Sequence, residues 1–140
     1  TDKRGIFGHS MGGHGALVAA LRNPERWHSV SAFAPIANPS AVPWGEKAFS
    51  NYLGEDRTTW ADWDASVLMQ KQTTDSEILI DQGDADQFLE QQLHPAALAA
   101  ATKQSGQKLN LRHHAAYDHS YWFIQTFIKD HIAHHARNML

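Results

Sequence analysis

Gly8-His9-Ser10-Met11-Gly12 is the stretch of this sequence whose residue types and spacing suit a chemical step. Glycines two residues either side of a serine fit a turn so tight that side chains there would clash. Such a turn joins a strand to a helix and lifts the serine hydroxyl clear of the sheet. The helix that follows aims its first amides at the same spot, where they favour a developing oxyanion. The amide of Met11, next after the serine, is the expected donor. A serine hydroxyl is a weak nucleophile at neutral pH, so it needs a base that is itself oriented by an acid.

In this setting the chain order is serine, then acid, then histidine. Asp81, Asp84 and Asp86 cluster after a β-rich run and are the candidate acids. Asp81 closes the run, Asp84 follows Gly83 as a turn residue, and Asp86 lies far enough on to reach over the sheet. Position alone gives Asp86 only a small preference. His119, in Tyr117-Asp118-His119-Ser120, sits in the last loop and is the candidate base. His113 and His114 are alternatives, though they fall at a strand end. His9 and His14 flank the serine and read as packing or pocket-lining groups, and Asp118 reads as a turn or capping residue. His131, His134 and His135 have the i, i+3, i+4 spacing that can hold a metal. Without an H-E-x-x-H pattern they read instead as a solvated helix face whose charge complements the helix dipole, so no metal is expected.

The elements that must position these groups follow from local pattern. Lys3 to Phe7 reads as a strand entering the serine turn. Met11 to Arg22 is rich in helix formers and is halted by Pro24. Ser29 to Ile36 is a second strand. Residues 38 to 72 hold two prolines and three tryptophans with little periodicity, which predicts an ordered excursion with short helices. Glu77 to Asp81 is a third strand, Gln87 to Ser105 a helix that Pro95 kinks or restarts, and Leu109 to His113 a fourth strand. Tyr121 to Ala136 is a final helix with Phe123, Ile124, Phe127, Ile128 and Ile132 on its apolar side. This alternation predicts an α/β fold, a mostly parallel sheet with right-handed crossovers and flanking helices, in a single domain over residues 1–140. Functional groups in such sheets gather at the carboxyl ends of the strands.

Composition narrows the partners. At 42% hydrophobic and 19% charged residues, with a net charge of -3, the chain has an ordinary globular balance. It has no basic block for nucleic acid and no apolar run long enough to span a membrane. With no cysteine, a disulfide scaffold, a cysteine–zinc site and a catalytic thiol are all excluded. The same absence fits a reducing compartment, so the cytoplasm is the expected location. The start, Thr1-Asp2-Lys3-Arg4, lacks an initiator methionine and reads as lying inside a longer reading frame.

Several blocks in order along the chain resemble the S-formylglutathione hydrolases, the esterase D group of α/β-hydrolases. They are Gly8 to Leu17, Ser29 to Ile36, Pro43-Trp44-Gly45 with Lys47-Ala48-Phe49, and Tyr52-Leu53-Gly54. Ile80 to Gly83 with Asp86 to Leu89, and Tyr117 to Tyr121, continue the match. The resemblance implies Ser10 as nucleophile, His119 as base and Asp86 as acid, so it separately prefers Asp86 to Asp81 and Asp84. It also implies S-formylglutathione as a small thioester substrate, formaldehyde detoxification as the setting, no cofactor and a homodimer. It puts Trp44 in a loop placed to line the pocket, beside an ordinary packing role. A broad carboxylesterase on small acyl esters would use the same triad.

Two departures stand out. Ala116 occupies a place where the pattern has glycine, so a positive φ there would strain the loop that carries His119. The match also covers only the C-terminal half of the pattern. The N-terminal strands and a second oxyanion donor are then expected to lie outside these 140 residues, and the first strand to have an uncovered edge.

Overall fold

The computed structural model describes residues 2–140. Four strands form one parallel sheet in the order β1-β2-β3-β4. They are β1 (Gly5–His9), β2 (Ser29–Phe33), β3 (Ile78–Gly83) and β4 (Leu109–His114). Among the described residues β1 and β4 are the two edges. Every residue of β2 and β3 is buried, because helices cover both faces of a parallel sheet.

Helix α1 (Met11–Arg22) follows β1 directly and buries Ala16, Leu17, Ala20 and Leu21 against the sheet. With α3 (Ala65–Met69) and α4 (Ala96–Ser105) it closes a core around Val30, Ile78 and Ile80. On the other face α5 (Tyr121–Met139) packs a second core of Phe33, Leu93 and Phe123. The excursion between β2 and β3 is ordered, as its aromatics predict. It holds a 3₁₀ turn at Pro39–Ala41, α2 (Pro43–Leu53), a 3₁₀ segment at Arg57–Trp63, and then α3. Two buried groups fix its path. Trp60 donates its Nε1–H to the Gly54 carbonyl at 3.0 Å. Asp64 caps α3 by accepting the Ser66 amide at 3.0 Å, and its other oxygen accepts the Ser40 amide at 3.0 Å.

Three sequence expectations are corrected here. Asp81 does not close β3. The strand runs on to Gly83, which leaves Asp81 inside the sheet with a fully buried side chain. The histidines of α5 are not a solvated face, since His131, His134 and His135 are all buried. Ile132, assigned to the apolar side of that helix, is 63% exposed. The helix is therefore turned with its histidines inward, and the sheet supplies their partners.

Those partners form one hydrogen-bonded chain. Arg112 forks onto Asp81 at 2.6 and 2.7 Å, and His114 reaches Asp81 at 2.8 Å. His131 lies 2.7 Å from Asp81 through Nε2 and 2.7 Å from Ser31 Oγ through Nδ1. His135 Nε2 lies 2.9 Å from the same hydroxyl, and its buried Nδ1 has no partner among the described residues. Burial holds His135 down to about 4, with His134 and His131 adding to the effect, so at neutral pH it carries one ring proton. That proton belongs on Nε2, because a buried orphan acceptor is tolerated better than an orphan N–H. His135 then donates to Ser31, Ser31 to His131, and His131 to Asp81. His134 donates to the Val30 carbonyl at 2.9 Å. Burial pushes the Asp81 carboxyl up, but His131, Arg112 and His114 outweigh it and hold it far below the carboxylate range.

Candidate active site

The turn after β1 has the geometry that the glycine spacing predicts, with one amendment. Ser10 sits at φ 57, a conformation costly for a residue with a side chain. Three backbone bonds hold it there: the Ser10 amide donates to Phe33, and the amides of His14 and Ile36 donate to the Ser10 carbonyl. Gly8 is required by space, because a Cβ there would lie 2.2 Å from the Gly12 carbonyl oxygen. Gly12 is not required in the same way, since a Cβ at that position meets nothing within 4 Å. The clash is therefore one-sided: the backbone at Gly12 excludes a side chain at Gly8. Met11 is the first residue of α1, so its amide has no acceptor within the helix and is free for an oxyanion.

The structure brings Asp86 and His119 together. His119 Nδ1–H donates to Asp86 Oδ2 at 2.6 Å, and both side chains are largely or fully buried. Asp86 also accepts the Phe88 amide at 2.8 Å and the Gln82 side-chain amide at 3.2 Å. Burial pushes the Asp86 carboxyl up, but the bonds from His119, Phe88 and Gln82 outweigh it and hold it below its ordinary value. An ionised Asp86 fixes the His119 proton on Nδ1 and leaves Nε2 free to act as a base. Among the described residues no hydrogen bond joins His119 to Ser10, and such contacts commonly tighten only around a substrate.

The alternative acids and bases are engaged elsewhere. Asp81 belongs to the buried chain beneath α5, and Asp84 pairs with His113 at 3.0 Å on the surface. His114 is bound to Asp81 and stacks on Phe127 with ring centroids 3.7 Å apart. Asp118 accepts the Ser120 amide at 3.2 Å, a turn role. His14 lines the pocket, and its Nε2 accepts the Ala65 amide at 3.2 Å. Burial lowers His14 to about 4 against the opposing pull of Asp64.

A cavity of about 410 Å³ opens at Ser10. Its walls are mainly apolar and include Met11, Trp44, Phe49, Tyr52, Leu53 and Trp63. Trp44 thus lines the cavity and also packs, its ring 4.5 Å from that of Phe88. The Trp44 amide donates to the buried side-chain oxygen of Gln92 at 3.0 Å, which ties the start of α2 to the segment after Asp86. That segment, Leu89–Leu93, is a π-helical turn, a feature frequent at functional sites. Sequence reasoning did not single out Gln82, Phe88 or Gln92. Only Gln92 lies within that turn, whose period matches neither strand nor α-helix; Gln82 lies in β3 and Phe88 just before the turn.

Ala116 has φ 68. The loop before His119 therefore does require the left-handed conformation that glycine adopts freely. Ala116→Gly is expected to relieve the strain against a larger loss of chain entropy, for a net gain of about 0.5–1 kcal/mol. Thermal unfolding checks this as a Tm rise of roughly 2–3 °C.

Comparison with known proteins agrees with this architecture. The family model named Esterase matches residues 1–134. The S-formylglutathione hydrolase from Agrobacterium tumefaciens is 50% identical over 99% of this chain, with a TM-score of 0.93. The chain spans 50% of the length of that structure. The fluorophosphonate-binding serine hydrolase FphF of Staphylococcus aureus is 19% identical over 95% of this chain and 55% of its own, with a TM-score of 0.73. An S-formylglutathione hydrolase of Staphylococcus aureus is 19% identical over 95% and 52%, with a TM-score of 0.67. These last two carry the likeness of fold alone. Among the described residues no helix is long and apolar enough to cross a membrane. The match over residues 1–134 and the parallel sheet with its strained serine turn agree: this chain belongs to the Esterase family and has the α/β-hydrolase fold.

Proposed function

We propose that the chain carries the catalytic groups of a serine thioesterase that splits S-formylglutathione into formate and glutathione. The observation that supports it most is the 2.6 Å bond from His119 to Asp86, beside a serine strained to φ 57. The Agrobacterium relative, at 50% identity, supports the choice of substrate. His119 Nε2 takes the Ser10 proton as Oγ attacks the thioester carbonyl and the C–O bond forms. The Met11 amide stabilises the oxyanion, with a second donor implied by the resemblance from outside these residues. The intermediate collapses, the C–S bond breaks, and the thiol leaves with the proton from His119. Water then gives a proton to His119 and attacks the formyl-serine. Collapse releases formate, and Ser10 regains its proton. The reading includes no cofactor and no metal, and its setting is cytoplasmic formaldehyde detoxification by a homodimer.

The apolar cavity at Ser10 favours a second reading, a carboxylesterase for small acyl esters. Turnover of S-formylglutathione and of an aryl acetate, measured side by side with Ser10→Ala as the background, separates the two. The thioesterase reading expects kcat/KM at least tenfold higher for the thioester. A preference for the aryl ester instead selects the carboxylesterase. Absence of both activities from the folded chain would show that these residues need the outside donor, and turnover by Ser10→Ala equal to the parent's would sink the reading.

A further inference from the structure

His9 adjoins the nucleophile in the chain and the base in space, and the reaction as written gives it no part. It is the last residue of β1, paired in register with Phe33, and is followed at once by Ser10. Its ring lies against that of His119, with centroids 4.5 Å apart and planes tilted by 37°. Its Nε2 is buried and has no partner among the described residues. His119 has two other restraints. Asp86 grips Nδ1, and Phe88 meets the ring edge-on with centroids 5.2 Å apart. Both belong to the segment after β3, because the Phe88 amide is itself bonded to Asp86. His9 is therefore the wall supplied from the nucleophile's own strand.

We propose that His9 is a positioning residue for His119: as a neutral ring it holds the base at its working distance from Ser10, and in its charged form it disarms the base. This rests on the Ser10–Asp86–His119 reading and extends it. During acyl transfer His119 becomes an imidazolium. A neutral aromatic ring packed against it excludes water and presents a π-face to the charge. A second imidazolium at the same place would oppose it. The titratable groups facing His9 are His119 and Asp86. Burial lowers the His9 pKa, His119 lowers it further, and Asp86 pulls the other way, so the neutral form prevails around pH 7. The unpartnered Nε2 agrees with a ring kept there for its face rather than for a hydrogen bond.

The test is the rate at which a fluorophosphonate labels Ser10, which reads the triad whatever its natural substrate. His9→Ala removes the ring. Its limiting labelling rate is expected to fall about tenfold, with half-saturation within twofold of the parent. His9→Phe restores the ring without its proton and is expected to recover to within threefold. The acid limb of its pH profile should follow one proton, whereas the parent steepens to two. A His9→Ala rate equal to the parent's, or a His9→Phe rate as low as that of His9→Ala, overturns the proposal. So does a one-proton limb in the parent. If either variant fails to fold, imidazole resonances of the parent decide: titration of His9 and His119 as a coupled pair supports the proposal, and independent titration overturns it. A parent that takes no label sinks the triad reading and this inference with it. A labelled parent indifferent to His9 sinks the inference alone.

Discussion

Ser10→Ala is expected to lower acyl transfer by about 10⁴-fold or more, and Asp86→Asn by a similar factor near 10⁴, both with little change in Tm. In the proposed reaction Ser10 supplies the atom that forms the acyl bond, so its loss leaves only binding and the oxyanion donor. Asp86→Asn acts differently. The asparagine can donate where the carboxylate only accepts, so His119 is offered the wrong tautomer and its imidazolium loses a counter-charge. The Phe88 amide can still find the asparagine oxygen, which is why the fold should survive, while the asparagine nitrogen then faces His119 and the Gln82 amide. The double variant is expected to be scarcely slower than Ser10→Ala, because the two residues act as one unit. Single-turnover kinetics and thermal melts of the three variants check this. An Asp86→Asn protein within tenfold of the parent would remove Asp86 from the triad.

Asp81→Ala is expected to do the reverse, costing about 3 kcal/mol of stability. Asp81 is fully buried and accepts from Arg112, His114 and His131 together. Its removal leaves one buried donor on His131 unpaired and the chain through Ser31 to His135 without its anchor. The Arg112 guanidinium is part exposed and keeps Asp130 at 3.1 Å, which places the cost near the lower end for a broken buried pair. Chemical denaturation measures it as a lower midpoint. Asp81 also sets a pH dependence. Its pKa is depressed in the folded state, so its contribution is present above the ordinary carboxylate value, near 4, and is lost as pH falls below it. A melt unchanged by Asp81→Ala would show that α5 is held by its apolar contacts alone.

The two aspartates lie five positions apart, one bound to His119 and the other anchoring the buried chain beneath α5, and the sequence did not separate them from local pattern. It did determine a great deal. The βα alternation, the halt of α1 near Pro24 and the ordered excursion with its tryptophans were all legible, because each rests on short-range propensity or period. So was the need for glycine at Gly8, which follows from the tightness of the turn. The strain at Ala116 was legible as a departure from a glycine pattern.

What the chain alone left open depended on which surfaces meet. Three aspartates after one strand were ranked only weakly by position. Where Asp86 comes to rest was decided by its bonds to Phe88 and Gln82 and by the reach of His119. The histidines of α5 were misread for a related reason. Spacing shows that His131, His134 and His135 share a helix face, but not whether that face meets water or strands that carry Ser31, Asp81 and the Val30 carbonyl. Polar side chains go inward only when buried partners pay the desolvation cost. Those partners lie 50 to 104 residues away in the chain, so their meeting is a property of the fold and not of any segment of the sequence.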